Sequence, residues 1–300
     1  SPLWFLRNLN KNIFKSDLLL EGLLRKQNID VLSHSGYLGR HSKIPSICWI
    51  PDFQHLHLPD LFGNWQKFER NQRFKSMCER CHGLIVSSNT ARKDLEAFCL
   101  SMNAKSYVLH FVANLTSDYE ELSFEDLRAK YGIKWPYFHV PNQFWTHKNH
   151  DVILEALRLL QDQNIDINIV ATGNPVDYRK SGCFQSIMNK LESYRLHNMF
   201  RMIGIVPYWD LMSMMWHSMG VINPSFFEGW SSTVEEAKSM GKKLILSDIP
   251  IHREQNPERG IFFDPRDPKA LAEFLIEIKD SYDLEEEKSH LYSAKSILSE

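Results

Sequence analysis

Glu228 and Glu236 lie eight residues apart in the run Asn223-Pro-Ser-Phe-Phe-Glu-Gly-Trp-Ser-Ser-Thr-Val-Glu-Glu-Ala-Lys-Ser-Met-Gly241, the first on a loop and the second inside a helix. The apolar stretch Met219–Ile222 before them reads as a buried strand. Ser232 and Glu235 have capping-box spacing, which predicts a helix beginning at Ser232 and ending at Gly241. Glu235 is then occupied at the cap, and Glu236 is left free on the first turn. A strand, a loop carboxylate and a helix N-terminus supply N–H donors for an anion and acceptors for hydroxyls. A nucleotide-sugar needs that combination for its diphosphate and its sugar. The plainer reading is two solvated acids at a helix start, where the dipole favours them.

A second chemical group is Pro141-Asn-Gln-Phe-Trp-Thr-His-Lys-Asn-His150, which follows another predicted strand. Asn149 reads as the N-cap of a helix over Asp151–Leu160, with apolar spacing at Ile153, Ala156, Leu157 and Leu160. Lys148 then sits at the carboxyl end of a parallel strand, where open α/β sheets bind ligands. A lysine there can neutralise a leaving diphosphate; the alternative is a flexible surface lysine. In the first half, Trp49-Ile-Pro-Asp-Phe-Gln-His-Leu-His-Leu-Pro-Asp60 crowds Asp52, Gln54, His55 and His57 behind a strand, as a cleft wall would. A metal at His55 and His57 lacks a third ligand, and plain loop histidines are the other reading. Cys78-Glu-Arg-Cys81 has zinc or redox spacing but no second ligand pair nearby, which favours two ordinary helix cysteines. Residues Trp65–Arg80 interleave five basic residues with Trp65, Phe68, Phe74 and Met77, either a lipid-facing patch or a core helix with a solvated basic face. No D-x-D triplet occurs, which suits a metal-independent diphosphate site.

The elements that must hold these residues alternate in two blocks, the pattern of parallel α/β units. The first block carries strands at Asp30–Ser33, Ser46–Ile50, Gly83–Ser87 and Ser106–Phe111, with helices at Trp65–Cys81 and Asn89–Cys99. The second carries strands at Tyr137–Pro141, Asp166–Ala171, Arg201–Gly204, Gly220–Asn223, Lys243–Ser247 and Gly260–Phe263. Its further helices are predicted at Gln185–Leu196, Pro207–His217, Ser232–Met240 and Pro268–Lys279. A polar segment, Thr116–Trp135, joins the blocks, with a short helix at Phe124–Tyr131. No G-x-G-x-x-G and no P-loop occurs, against a nicotinamide or ATP-hydrolysing enzyme. At 300 residues, 43% hydrophobic and 24% charged, the chain suits two globular domains. A net charge of -2 gives no global field for nucleic acid. No apolar run approaches a bilayer span, no secretory signal is evident despite the apolar Pro2–Leu9, and five sparse cysteines suit a reducing compartment.

The run from Glu228 to Glu236 resembles the Glu-x7-Glu motif of the family-four retaining glycosyltransferases with the GT-B fold, two Rossmann-like domains facing a cleft. The resemblance covers roughly Pro45–Leu275. It implies that Glu228 contacts the donor sugar and Glu236 the ribose, with Gly229, Trp230, Ser231, Ser232 and Thr233 around the diphosphate. Lys148 matches the lysine of the family's Arg-x4-Lys element, while Gln143 stands at the arginine. Asp52 matches a His-Asp element in which Pro51 replaces the usual histidine, leaving His55 or His57 to supply the imidazole. The resemblance implies an acceptor-side domain over 1–115, truncated at its N-terminus and joined by the last helix, 282–300, and a donor domain over 116–281. It also implies a nucleoside-diphosphate sugar donor, no cofactor, and a glycan or lipid-linked acceptor hydroxyl. Cell-surface polysaccharide or lipopolysaccharide assembly at the cytoplasmic face of a membrane, with peripheral contact, follows from the same likeness. A GT-B nucleotide-sugar epimerase and a non-catalytic nucleotide-sugar-binding scaffold are the alternatives.

Overall fold

The computed structural model describes residues 16–100, 104–113, 122–177 and 182–297. The apolar start at Pro2–Leu9, residues 116–121 of the joining segment and the last three residues fall outside them. The chain divides into two compact units, Ser1–Phe111 and Val112–Glu300, four residues before the expected boundary.

In the first unit, α1 (Leu18–Lys26) is followed by β1 (Leu32–Ser33), β2 (Ser46–Ile50), α2 (Gln54–His57), α3 (Asn64–Arg80), β3 (Gly83–Val86), α4 (Asn89–Phe98) and β4 (Lys105–Val108). The strands form one parallel sheet in chain order. β4 ends earlier than its apolar run suggests because its partner β3 ends opposite it, Val86 facing Val108. Side chains alternate across β2: Ser46, Cys48 and Ile50 are buried and Trp49 is exposed. Cys48 and Ile50 meet Phe74, Met77 and Cys78 of α3, Leu84 and Val86 of β3, and Leu95 of α4 in one core.

The second unit contains α5 (Phe124–Tyr131), β5 (Phe138–Pro141), α6 (His150–Asp162), β6 (Ile169–Thr172), α7 (Cys183–Ser193), β7 (Phe200–Gly204), α8 (Tyr208–His217) and β8 (Val221–Asn223). It continues with α9 (Ser232–Ser239), β9 (Leu244–Ser247), α10 (Pro250–Gln255), β10 (Gly260–Phe263), α11 (Pro268–Asp280) and α12 (Leu284–Ile297). Six parallel strands run in the order β10-β9-β8-β5-β6-β7. The chain therefore builds outward from β5 in one direction, then returns to β8 and builds in the other. The reversal lies between β5 and β8, the switch point at which open sheets bind ligands.

Alternation along these strands explains why both faces are covered. Ile169, Ala171, Ile222 and Ile245 enter one core with Ile153, Leu157 and Leu160 of α6 and Leu271 and Leu275 of α11. Val221, Leu244 and Leu246 enter another, with Met212 and Met215 of α8 and Val234 and Ala237 of α9. The last helix packs on this second unit. Leu291 lies in the core with Trp216, and Glu287 pairs with Lys242 Nζ at 3.0 Å and Arg259 Nη2 at 2.7 Å. Gly241 permits that approach: its φ is +70°, and a Cβ there would meet the His290 carbonyl at 2.9 Å.

Candidate functional site

The carboxyl ends of β5 and β8 bring Lys148 and Glu228 together. After β5 the chain makes a short 3-10 turn over Thr146–Lys148, and Asn149 then takes a left-handed conformation, φ 55° and ψ 43°. Asparagine tolerates that region better than most residues. Its side chain does not cap α6, contrary to expectation. Instead Nδ2 donates to the Pro224 carbonyl at 3.0 Å and the Pro265 carbonyl at 2.7 Å, tying the loops after β5, β8 and β10 into one platform. The Phe226 N–H donates to the His147 carbonyl at 2.8 Å, a second tie.

On this platform Lys148 Nζ donates to Glu228 Oε1 at 2.6 Å, with side chains only 14% and 9% exposed. Burial alone would raise the Glu228 carboxyl. The Lys148 ammonium outweighs it and holds the group down to about 2. Glu228 is a carboxylate at any physiological pH. Burial holds neighbouring imidazoles neutral, His150 at about 3 and His252 at about 4.

The N-cap of α9 is Ser231, one residue before the expected Ser232. Its Oγ accepts from the Val234 N–H at 3.4 Å and from Asn223 Nδ2 at 2.9 Å, so the end of β8 sets the start of the helix. Thr233 Oγ1 donates to the Pro141 carbonyl at 3.3 Å and fastens the same turn to β5. Ser232 is exposed on the first turn, and Gly229 and Trp230 are half-buried on the loop before it. Glu235 is structural as expected, with different partners: it accepts from Gln255 Nε2 at 2.8 Å and Lys238 Nζ at 3.3 Å. Glu236 is not free. It is half-buried, with the Tyr208 hydroxyl near it; burial raises its carboxyl, and the hydroxyl partly offsets that. Burial, then the Glu236 carboxylate, pushes the Tyr208 phenol up to about 12.

Gln143 bonds a neighbouring loop, its Oε1 accepting from the Asn174 N–H at 2.8 Å. That loop passes so close that a Cβ at Gly173, φ +145°, would lie 2.3 Å from the Asn142 carbonyl. Asp52 and His55 belong to the first unit. Asp52 accepts from Arg70 Nη2 at 3.0 Å and from the Gln54 N–H at 2.9 Å. His55 is a core histidine: it is buried among Phe53, Phe62, Phe74 and Phe98, and its Nε2 bonds Asn71 Oδ1 at 2.9 Å. Burial lowers its pKa. Aromatic packing thus holds the His55 ring inside the first unit; His57, the other candidate imidazole, is more exposed and bonds Asp94 at 2.8 Å. Cys78 and Cys81 are buried in the core, and no cluster of three metal-ligating side chains occurs among the described residues. Sequence reading missed Tyr208 and Asn223. The signal was available: each stands where a parallel strand ends, Asn223 at the close of β8 and Tyr208 at the start of the helix after β7.

The class these features define is matched by comparison with known proteins. Residues 123–294 match the family described as Glycosyl transferases group 1, and the chain belongs to that family. It is 21% identical over 230 residues to the O-antigen chain mannosyltransferase RfbU of Salmonella typhimurium, a match covering 77% of this chain and 60% of that protein. The chain thus spans less than two thirds of that relative. A glycosyltransferase from Rickettsia africae superposes with a TM-score of 0.68 at 18% identity, covering 93% of this chain and 74% of the other. The Anabaena protein Alr3699/HepE in complex with UDP superposes with a TM-score of 0.66 at 13% identity, covering 86% and 68%. The fold is GT-B.

Proposed function

We propose that the protein transfers a sugar, with retention of anomeric configuration, from a nucleoside diphosphate to a glycan or lipid-linked hydroxyl. The observation that carries the reading is the closed Lys148–Glu228 pair at 2.6 Å on the switch-point platform, beside the first turn of α9. A carboxylate and an ammonium that partner each other can each turn to a ligand group of matching chemistry, hydroxyls for the first and phosphate for the second. Glu228 would accept from the sugar hydroxyls. Lys148, with the N–H groups of Ser232 and Thr233, would take the diphosphate. Glu236 would exchange the Tyr208 hydroxyl for the ribose hydroxyls. In the reaction the acceptor oxygen bonds to the anomeric carbon as the bond from that carbon to the phosphate oxygen breaks. The bonding electrons pass to the diphosphate, which takes the acceptor proton. The protein contributes position and preformed charge, without a metal ion.

The O-antigen relative supports a hexose donor and a role in cell-surface polysaccharide assembly. Peripheral membrane contact is supported by α3, where the rings of exposed Trp65 and Phe68 lie tilted with centroids 5.6 Å apart on a helix that also carries Lys67, Arg73 and Lys75. Sedimentation with anionic vesicles, lost in Trp65→Ala/Phe68→Ala, checks that contact. The donor reading is tested by calorimetry with UDP, GDP and their hexose conjugates, then by transfer assays. Lys148→Ala should lower turnover about 10²–10³-fold, as when one preorganised charge stabiliser is lost. Turnover within threefold of wild type would place the diphosphate elsewhere. Turnover of donor without acceptor would identify an epimerase.

A further inference from the structure

A chain of buried polar side chains leads from the Glu228 loop to α10, and the donor reading leaves its far end, His252, unused. Ser225, three residues before Glu228, accepts at its carbonyl from Ser247 Oγ at 2.6 Å, and Ser247 is the last residue of β9. His252 of α10 meets the same serine twice: Nδ1 lies 2.9 Å from the Ser247 carbonyl and 3.2 Å from Ser247 Oγ. Ser225, Ser247 and His252 are all fully buried.

These contacts fix the tautomer of the ring. A carbonyl oxygen can only accept, and the Ser247 hydroxyl proton is already given to Ser225, so Nδ1 carries the ring proton. Nε2 then holds a bare lone pair, buried without a hydrogen-bond partner. An unmet buried acceptor is costly, and a proton bound there would turn it into a donor. Burial chiefly keeps that proton off and holds the His252 pKa at about 4, while Glu228 pulls it up and Lys148 pushes it down. The other charges around α10 are engaged elsewhere. Lys238 of α9 pairs with Glu235 at 3.3 Å and donates to the Gln255 carbonyl at 2.8 Å, and Arg253 pairs with Asp248 at 2.7 Å. The charge state of His252 is therefore tied to whether Lys148 stands on Glu228.

We propose that His252 is a positioning residue for sugar transfer: when a ligand phosphate draws Lys148 off Glu228, Nε2 takes a proton from solvent and His252 becomes the counter-charge of that carboxylate. Buried charge then stays balanced, and Glu228 remains ionised in place for the sugar hydroxyls. The response of His252 to loss of the ammonium stands on the geometry; its trigger by a donor rests on the donor reading. Because the bound form holds the extra proton, donor binding takes one up between pH 4 and the ordinary histidine value of 6.5.

Imidazole nitrogen NMR on the whole histidine-labelled chain reads tautomer and charge together, with the His252 signals assigned by their loss in His252→Asn. At about pH 6, wild type should show a neutral His252 ring protonated at Nδ1. Lys148→Met removes the ammonium without any ligand, and should raise the His252 titration by about two units. Lys148→Met/Glu228→Gln should lose most of that rise, because the carboxylate that drives it is gone. A histidine that only bonded Ser247 would keep one tautomer and one charge in all three proteins. Saturating UDP or GDP should move wild-type His252 toward the charged form at about pH 6, an arm that decides even where Lys148→Met fails to fold. An Nε2–H tautomer in wild type, or an unchanged titration in Lys148→Met, overturns the proposal. So does a nucleoside diphosphate that binds and leaves His252 neutral. Failure of both UDP and GDP to bind, with the Lys148→Met shift present, upholds the link between His252 and Glu228 and overturns the donor reading instead.

Discussion

Replacing Lys148 by Met keeps the length of the side chain and removes its charge, leaving Glu228 buried without its partner. The magnitude follows from the carboxyl. Its pKa stands at about 2 in the folded protein against an ordinary 4.5. Each unit is worth about 1.4 kcal/mol, so the shift corresponds to about 3 kcal/mol of stability at neutral pH. Removing one member of a buried pair costs a similar amount, roughly 3–5 kcal/mol. The sign is fixed by proton counting: between pH 4.5 and 2 the unfolded state binds the proton that the folded state refuses. Stability from this group is therefore complete above 4.5 and lost as pH falls toward 2. Urea unfolding followed by tryptophan fluorescence, at pH 7 and again near pH 3, reads the effect. Lys148→Met should be less stable than wild type by about 3 kcal/mol at pH 7, and the gap should shrink to about 1 kcal/mol near pH 3. The double variant Lys148→Met/Glu228→Gln should recover most of the loss, because neither charge is then stranded. A Lys148→Met protein within about 0.5 kcal/mol of wild type at pH 7, or a gap indifferent to pH, would refute the reasoning.

Glu236→Ala should weaken nucleoside-diphosphate binding by about 1.5–3 kcal/mol, the worth of a charge-assisted hydrogen bond; unchanged affinity by calorimetry removes the ribose role. Tyr208→Phe takes away the hydroxyl that holds the already raised Glu236 carboxyl down, so that carboxyl rises further. Donor affinity in this variant should then fall more steeply than in wild type as pH drops below neutrality, and parallel pH profiles would contradict it. Glu287→Ala leaves Lys242 fully buried beside a lost partner, and should cost about 3 kcal/mol or more in urea unfolding. Transfer activity should survive EDTA; loss that magnesium or manganese restores would show a metal-dependent diphosphate site.

What could be read from the chain was what depends on near neighbours. Apolar runs located most of the strands, since a parallel strand buried on both faces reads as a near-continuous apolar stretch wherever it lies. Gly241 marked the end of α9 because a left-handed residue there costs glycine least. The Glu228 loop was legible because a strand, a loop and a helix start follow one another directly. What failed had its partner far away in sequence. Asn149 has the residue type of a cap, and a cap needs only the next three residues; its actual acceptors, Pro224 and Pro265, lie 75 and 116 positions on. His55 has the surroundings of a site in sequence and of a core in space, because Phe74 and Phe98 arrive from two other helices. Glu236 looked unoccupied because Tyr208 belongs to the preceding helix. The same physics gives the errors a direction. Polar residues at strand ends in this fold are claimed by neighbouring loops before any ligand arrives, so a residue's readiness for substrate depends on how easily it gives that partner up. Lys148 and Glu228 hold each other through two charged side chains, so a ligand that carries an anion and hydroxyls can replace each partner in kind, whereas Asn149, bonded to two backbone carbonyls, has no such exchange.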